Sequence, residues 1–263
     1  MIEISGLQVV FHAGTANENL ALRGLNLRIA AGSFVSVIGS NGAGKSTLLN
    51  ALAGDVPVSA GRIAVDGQDI TRLPAHQRCH WVARVFQDPL TGTSGTLTIE
   101  ENLALADDRG QPRGLRLALG AGRRARYRDL LAPLGLGLEQ RLGDRMDLLS
   151  GGQRQAVSLL MATLQPSRIL LLDEMTAALD PHMADFLMQL TGRLIAERQL
   201  TALMVTHSMA QALAWGDRTL MMHRGQVVLD LQAAQRQRLS VDDLVRLFSQ
   251  ARGGALDQDS LLL

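Results

Sequence analysis

A glycine-rich stretch near the start of the chain has the residue types that can enclose a phosphate group. Its residues are Gly39, Ser40, Asn41, Gly42, Ala43, Gly44, Lys45, Ser46 and Thr47. They fit the phosphate-binding loop (P-loop) pattern at every required position, whereas a merely flexible glycine turn requires neither the lysine nor the hydroxyl. Glycines let backbone N–H groups turn toward an anion, and Lys45 can reach the terminal phosphates of a nucleotide. The Ser46 hydroxyl can ligate Mg²⁺, so the stretch predicts a site for ATP with Mg²⁺.

Two acidic residues follow an apolar run in the second half of the chain. Residues 169–172 read Ile-Leu-Leu-Leu and are followed by Asp173 and Glu174. Unpaired carboxylates at the end of a buried strand are costly, so they favour a nearby cation. We expect Asp173 to hold Mg²⁺, directly or through water, and Glu174 to deprotonate the attacking water. A surface turn is the alternative for such a pair taken alone, and the P-loop upstream favours the catalytic interpretation.

A second helix start in the chain can also bind an anion. Ser150, Gly151 and Gly152 precede an apolar helical face formed by residues 157–164. The first turn of a helix presents free N–H groups and the positive end of its dipole. One chain therefore has two phosphate-binding helix starts, and a single nucleotide does not easily meet both within one domain.

The elements around these motifs alternate between strands and helices. Residues 34–38 form an apolar run that ends in glycine, and residues 46–53 have helical spacing. Residues 202–205 and 220–222 are further apolar runs of strand length. Alternation of this kind predicts a parallel sheet wrapped by helices, with ligands beyond the carboxyl ends of its strands.

The N-terminal part of the chain has a different pattern. Residues 1–35 suggest short alternating strands, in which Leu25, Leu27 and Ile29 face one side. Residues 61–67 resemble a hairpin because glycines bound them. We therefore expect a small antiparallel unit before the parallel sheet.

Two further segments are expected to be mainly helical. Residues 88–150 are predicted to form a helical subdomain that ends in the second anion-binding helix start, and residues 231–263 a C-terminal helix with a frayed tail. Ser240 and Asp243 resemble a capping box at the start of that helix. The basic residues of segment 109–128 are Arg109, Arg113, Arg116, Arg123, Arg124, Arg126 and Arg128. A solvated basic face is the simplest interpretation of that segment.

Composition limits the classes of protein that are possible. The chain has 263 residues, of which 46% are apolar, and a net charge of +1, which suits one large α/β domain and gives no reason to expect nucleic-acid binding. The single cysteine, Cys79, cannot form an internal disulfide, and with only His76 and His80 nearby it is expected to be an ordinary thiol. No run reaches the roughly 18 apolar residues of a membrane span, and the N-terminus resembles no secretory leader, so we expect a cytoplasmic protein.

Residues 149–155 read Leu-Ser-Gly-Gly-Gln-Arg-Gln, which matches the signature motif of ATP-binding-cassette (ABC) ATPases. The other motifs of that family follow the same order here, with Gln87 in VFQD, Ala-Leu-Asp ending at Asp180, and His207 in VTHS. The resemblance spans roughly residues 1–230 and implies an α/β fold. The implied fold consists of a P-loop NTPase core with a parallel sheet, an N-terminal antiparallel β subdomain and an α-helical insertion.

The resemblance also implies roles for single residues. Two cassettes pair head to tail in the family, and each ATP lies between one P-loop and the partner's signature motif, here Ser150, Gly151, Gly152 and Gln153. By the same resemblance, Gln87 senses Mg²⁺ and the attacking water, His207 contacts the γ-phosphate, and Asp180 keeps the two halves in register. Phe11 occupies the position of an aromatic that stacks on adenine, although a core role is its alternative. Met175 stands where the family usually has proline, so we expect a slightly looser turn with activity retained.

The expected function is ATP hydrolysis that powers transport through separate transmembrane permease subunits. General likeness favours import of an amino acid or a related small organic solute, with a solute-binding protein, and a dimer at the inner face of the cell membrane. Alternatives are an exporter of lipoproteins or drugs, a soluble ABC protein of DNA repair, chromosome handling or translation, and a P-loop kinase. The insertion faces the membrane subunit in the family, so its arginines have a second interpretation as contacts to anionic lipid or to the permease.

Overall fold

The structure is a computed structural model that describes residues 1–112 and 117–251. Its strands are β1 Ile2–Phe11, β2 Asn19–Ile29, β3 Phe34–Gly39, β4 Ala60–Val65, β5 Gln68–Asp69, β6 Val82–Val85, β7 Ile169–Asp173, β8 Thr201–Val205, β9 Arg218–His223 and β10 Gln226–Leu231. Its helices are α1 Lys45–Ala53, α2 Ala75–Arg78, α3 Pro89–Gly92, α4 Ile99–Asp107, α5 Ala121–Leu131, α6 Gly151–Leu164, α7 Pro181–Arg198, α8 Met209–Ala214, α9 Ala233–Arg236 and α10 Val241–Ala251. Arg113, Arg116 and the tail predicted to fray lie outside the described residues.

Two sheets form the framework of the fold. The larger has the strand order β10-β9-β3-β8-β7-β6, in which every pairing is parallel except that of β10 with β9. The smaller has the order β2-β1-β4-β5 and is antiparallel throughout. The strand alternation expected near Leu25, Leu27 and Ile29 is found, because these side chains are buried while Asn26 and Arg28 between them are exposed.

Helix α1 lies between the two sheets and forms the centre of one core. Its buried face, with Leu48, Leu49 and Leu52, packs against the inner residues of the antiparallel sheet and one face of the parallel sheet. The other face of the parallel sheet packs against α6 and α7. Both faces of the parallel sheet are thus covered, which explains why its strands are almost continuously apolar.

The described part of the insertion is helical, and its positive charge is largely compensated. Arg123, Arg124 and Arg126 of α5 pair with Asp108, Glu100 and Asp107 respectively. Arg109 turns inward and donates to the carbonyl oxygens of Ala162 and Gln165, and burial lowers the pKa of Arg109. The prediction of a solvated basic face is therefore wrong for Arg109, because local spacing does not reveal which carbonyls a folded chain brings near.

The C-terminal helix has the predicted capping box. The Ser240 hydroxyl accepts from the Asp243 N–H, and the Asp243 carboxylate accepts from the Ser240 N–H. Leu244 and Phe248 of α10 are buried against α8 and the sheet beside it. None of the helices in the described ranges has the length and apolar character that a membrane crossing requires.

Candidate active site

The P-loop joins β3 to α1 at the carboxyl edge of the parallel sheet. A Cβ built on Gly39 would overlap the carbonyl oxygen of Met222, and one on Gly44 would lie 2.9 Å from the carbonyl oxygen of Ala21. Both positions therefore require glycine, because neighbouring backbone leaves no room for a side chain. Gly44 begins α1 without a side-chain cap, so the N–H groups of the first turn remain available to an anion.

Lys45 lies within the P-loop rather than extending into solvent. Its Nζ donates to the carbonyl oxygens of Gly39 at 2.7 Å and Ser40 at 3.2 Å. Burial lowers the pKa of Lys45, and the negative charges of Glu174 and Asp173 oppose this shift. The ammonium group is therefore held between the loop and the two acids, where it can reach a phosphate by exchanging its carbonyl contacts.

Strand parity determines where the Asp173 side chain points. In β7, Ile169 and Leu171 belong to the core around α1, whereas Leu170 and Leu172 face α6. Asp173 continues the first set and therefore faces α1, whose N-terminus is the P-loop. The strand is fully buried, and Asp173 itself is 8% exposed.

Glu174 follows with a backbone that differs from that of the strand. Its φ is 44°, in the left-handed region, and its N–H donates to the carbonyl oxygen of Val205 at 3.0 Å. Such a conformation is uncommon for a residue other than glycine and is often found at functional sites. Glu174 Oε1 lies 2.5 Å from Nε2 of His207, which follows β8.

The environment of His207 opposes its protonation. The pKa of His207 is lowered first by burial and second by the charge of Lys45, while Glu174 and Asp173 oppose the shift. Neutral His207 can therefore donate a hydrogen bond from Nε2 to the Glu174 carboxylate. The structure thus brings together Lys45, Asp173, Glu174 and His207, which the sequence analysis had identified separately.

Gln87 lies at the same edge of the sheet but does not contact the acids. It follows β6, the neighbour of β7, and its side chain is exposed. Within the described ranges it forms no hydrogen bond to the P-loop, Asp173 or Glu174. The preceding residue is anchored, because Gln155 Nε2 donates to the carbonyl oxygen of Phe86 at 2.9 Å.

Phe11 is the last residue of β1, in the antiparallel sheet. It is half-buried, packs on the core beneath the antiparallel sheet and pairs with Asn19 of β2. Two residues further along β2, Ala21 lies against the backbone of Gly44. Both the adenine-stacking and the core interpretations of Phe11 are compatible with this position.

The signature residues form the expected helix start. Ser150 caps α6, and its hydroxyl accepts from the Gln153 N–H at 3.2 Å while Gln153 Oε1 accepts from the Ser150 N–H at 3.2 Å. Gly152 is buried, and a Cβ there would overlap Cγ of Met183 in α7. Asp180 caps α7 by accepting from the Met183 N–H at 3.0 Å. Within the described residues, no hydrogen bond or ion pair joins this helix start to the P-loop of the same chain.

The oxygen donors at the site fit Mg²⁺. The Ser46 side chain is exposed beside the loop, and Asp173 Oδ1 forms no hydrogen bond within the ranges described. No cluster of three or more His, Cys, Asp or Glu residues able to hold a metal occurs among the described residues. Hard oxygen donors supplied in part by the protein are what Mg²⁺ takes when phosphates and water complete its shell.

Sequence reasoning missed Arg84, the residue with the closest polar contact to Asp173. Arg84 Nη2 lies 2.7 Å from Asp173 Oδ2, and both side chains are 12% exposed. A signal was present, because an arginine inside the short apolar strand Val-Ala-Arg-Val requires a buried acceptor. Its partner was not visible because the pairing of β6 with β7 joins segments almost ninety residues apart.

These features define the fold of a P-loop ATPase with an antiparallel β subdomain and a helical insertion, as the sequence analysis predicted. A family profile described as "ABC transporter" matches residues 22–177. The chain belongs to the ABC transporter family. It is the ATP-binding subunit of an ABC transporter, and it is an ATPase.

Similar proteins match between 79% and 95% of the chain. The tyrosine transport ATP-binding protein of Clostridioides difficile (strain R20291) is 41% identical over 251 residues, which are 95% of this chain and 100% of that protein. The thiamine import ATP-binding protein ThiQ of Histophilus somni (strain 129Pt) is 36% identical over 79% of this chain and 91% of its own length. The dimeric post-hydrolysis structure of the ATP-binding cassette MJ0796, bound to ADP and Pi, superposes with a TM-score of 0.76 and 28% identity, covering 89% of this chain and 99% of that chain.

Proposed function

We propose that this chain powers the import of an amino acid through a separate transmembrane permease. The observation that carries this proposal is the end-to-end match to a protein named for tyrosine transport, at 41% identity over 95% of this chain. Relatives named for thiamine, phosphonate and sulfonate import match at lower identity, between 34% and 36%. An amino acid, with an aromatic one tested first, is therefore the cargo class that we assign.

The proposed catalytic set lies at the carboxyl edge of β3, β7 and β8. The phosphates are bound by residues 39–47, and by Lys45 in particular. Mg²⁺ would be held by Ser46 and Asp173, and by Gln87 once the dimer has closed. A Mg²⁺ ion held by these residues would supply positive charge against the negative charge that develops on the phosphate oxygens. Glu174 accepts a proton from the attacking water, and His207 orients the Glu174 carboxylate through the 2.5 Å contact.

A second copy of the chain completes the proposed site. The helix start formed by residues 150–153 can receive an anion, yet among the described residues no hydrogen bond or ion pair joins it to the P-loop of its own chain. Pairing head to tail supplies that anion from the partner's nucleotide, while Asp180 holds the end of α7 beside the interface. MJ0796 was solved as a dimer, which supports this arrangement. The proposed role of Phe11 is to stack on the adenine of the bound ATP.

A groove on the helical side is the proposed docking surface for the permease. It has a volume of about 1310 Å³ and is lined by Phe86, Thr91, Leu105, Ser158 and Met161 among others. Phe86 lines this groove, and the next residue, Gln87, belongs to the proposed site. A permease segment bound in the groove would therefore contact a residue that is one peptide bond away from the site. Leu105 is 60% exposed at its edge. Through this contact the chain is peripheral at the inner face of the cell membrane, and a solute-binding protein delivers the cargo from outside.

Reconstitution tests the function directly. The chain is placed with its permease subunits in liposomes with ATP on the cytoplasmic side. Uptake of radiolabelled tyrosine and other amino acids is then measured with the solute-binding protein present. We expect ATP-dependent inward movement of an amino acid, lost with Glu174→Gln. Outward movement of lipoprotein or drug, or ATP hydrolysis that ignores permease and cargo, would contradict the proposal.

Sedimentation tests the dimer. Glu174→Gln with saturating Mg-ATP is expected to sediment as a dimer, and adding Ser150→Arg to it is expected to give monomers, because the larger side chain blocks the helix start. A Glu174→Gln protein that stays monomeric at saturating Mg-ATP contradicts the shared site.

A further inference from the structure

The guanidinium group of Arg84 connects Asp173 to the far end of the P-loop helix. Nη2 lies 2.7 Å from Asp173 Oδ2, and Nη1 lies 2.7 Å from Asn50 Oδ1 and 2.8 Å from Asp55 Oδ2. Asn50 belongs to the last turn of α1, and Asp55 follows its C-terminal cap. One side chain thus spans the strand that carries an acid of the site and the helix that begins at Lys45.

The strand pattern explains why Arg84 faces α1. In β6, Val82 packs in the core around α1, whereas Ala83 and Val85 face α6. Arg84 has the same parity as Val82, and Asp173 has the α1-facing parity in the adjacent parallel strand. The pair is therefore set by sheet register and is 12% exposed on both sides, unlike a surface ion pair.

The two oxygens of the Asp173 carboxylate have different surroundings. Oδ2 is occupied by Arg84, and Oδ1 has no hydrogen-bond partner in the described part of the chain. The ring of Phe86 lies against the guanidinium, with Cζ 4.6 Å from the ring centroid, which restricts its rotation. Because a guanidinium is a planar fork of fixed donors, it can hold one carboxylate at a set angle while a second donor anchors it elsewhere.

We propose that Arg84 is a positioning residue that fixes Asp173 against the P-loop helix and, by its charge, weakens the hold of Asp173 on Mg²⁺ so that the metal–nucleotide complex exchanges readily. This inference rests on the proposed function in that Asp173 must face the Mg²⁺ of bound nucleotide. Asp55 moderates the effect, since it shares the positive charge of Arg84. Substitutions at these positions that change the charge are therefore expected to affect Mg²⁺ binding differently from those that change only the geometry.

Variants at positions 84 and 55 separate the two contributions. Arg84→Gln removes the charge, so the Kd of Mn²⁺, a Mg²⁺ substitute, is expected to fall at least about threefold. Asp55→Asn leaves Arg84 with fewer acids to neutralise it, so the same Kd is expected to rise about twofold. Arg84→Lys keeps the charge but cannot reach both carboxylates, so the Kd is expected to stay within about twofold of the unmodified protein while kcat falls about fivefold. A merely structural weakening of the site would raise the Kd in every variant.

The measurement is Mn²⁺ binding by electron paramagnetic resonance, with the full chain and a non-hydrolysable ATP analogue. ATPase titrations with Mg²⁺ then give kcat and the half-saturating metal concentration separately. Binding of a fluorescent ATP analogue in EDTA and the thermal midpoint report whether each variant keeps its P-loop. Arg218→Gln is the matched control, because Arg218 is 14% exposed, is paired with Asp230 and lies at the amino end of β9.

The outcomes are distinct. An unchanged or higher Mn²⁺ Kd in folded Arg84→Gln overturns the inference. So does an Asp55→Asn substitution that raises the Mn²⁺ Kd by the same factor whether Arg84 is present or has been replaced by Gln. If Arg84→Gln does not fold, a wild-type kcat in Arg84→Lys overturns the inference, and a reduced kcat at unchanged Mn²⁺ Kd supports it. Asp173→Asn is expected to lose Mn²⁺ binding, and if it does not, the assignment of the metal site fails rather than the role of Arg84.

Discussion

Nε2 of His207 lies 2.5 Å from Oε1 of Glu174, although the two residues follow different strands. Their strands, β8 and β7, are adjacent and parallel, so their carboxyl ends meet at one edge. The left-handed backbone of Glu174 turns its side chain away from the strand direction. The pair therefore depends on one sheet register and one local conformation.

Glu174→Gln is expected to retain ATP binding and lose turnover. The amide has nearly the same shape but cannot accept a proton from water, so kcat should fall by at least about 10²-fold. Steady-state phosphate release and binding of a fluorescent ATP analogue measure the two properties separately. Turnover at the normal rate would show that Glu174 is not the base.

Lys45→Ala is expected to abolish productive ATP binding. The ammonium group is the one cation placed inside the P-loop among the described residues, and its carbonyl contacts at 2.7 and 3.2 Å show that it stays there without a salt bridge. Calorimetric titration with Mg-ATP is expected to show a loss of affinity of about tenfold or more. Wild-type affinity in a folded Lys45→Ala protein would remove Lys45 from the phosphate site.

The stability of the nucleotide-free protein is expected to fall as pH decreases below about 6.5, the ordinary pKa of histidine. Because the pKa of His207 is lowered on folding, the unfolded chain binds a proton that the folded chain does not. The stabilisation is therefore present above the unfolded pKa and is lost as pH falls toward the lowered folded value. Urea unfolding across this pH range, with His207→Gln for comparison, measures this contribution to the free energy of unfolding. We expect a shallower pH dependence in His207→Gln, and identical slopes would contradict the assignment.

Gly152→Ala is expected to destabilise the protein, whereas Gly151→Ala is the matched control. A Cβ at Gly152 would overlap Met183 Cγ, but one at Gly151 would come no closer than 3.9 Å to Leu179. Overpacking of this kind costs about 1–3 kcal/mol in the free energy of unfolding. Met183→Ala in the Gly152→Ala background should recover part of that loss, because it removes the overlapping atoms. Equal stabilities of the two glycine variants would refute the packing argument.

Arg236→Leu is expected to destabilise the C-terminal part of the fold. Arg236 is 7% exposed and donates to the Thr219 hydroxyl at 2.7 Å and the Trp215 carbonyl at 2.8 Å. Further donation goes to the carbonyl oxygens of Ala212, Leu213 and Gly216. Removing the guanidinium withdraws a donor from the carbonyl oxygens of Leu213 and Gly216, whereas those of Ala212 and Trp215 keep the Thr219 and Ser36 hydroxyls. The expected cost is about 1–3 kcal/mol, measured by urea unfolding. Arg238→Leu, at an exposed position two residues on, should change little.

Much of the site was predictable from local sequence. The P-loop, the two acids at and just after the end of β7, the helix start at Ser150 and the capping box at Ser240 all depend on residue types within a few positions of each other. Short-range hydrogen bonds and backbone preferences determine such features, so they can be deduced from sequence. The strand periodicity of residues 25–29 was deduced in the same way. The expected solvation of Arg109 was wrong, because its carbonyl acceptors lie more than fifty residues away in sequence.

The sequence by itself determined which chemical groups the chain brings to a nucleotide and the order in which they occur. Only the tertiary structure decided that Arg84 holds Asp173, that His207 meets Glu174 and that Met183 requires glycine at position 152. These contacts depend on strand order, on the parity of neighbouring strands and on the separation of two helices. Such quantities arise from packing the whole core, to which residues far apart in the chain contribute together.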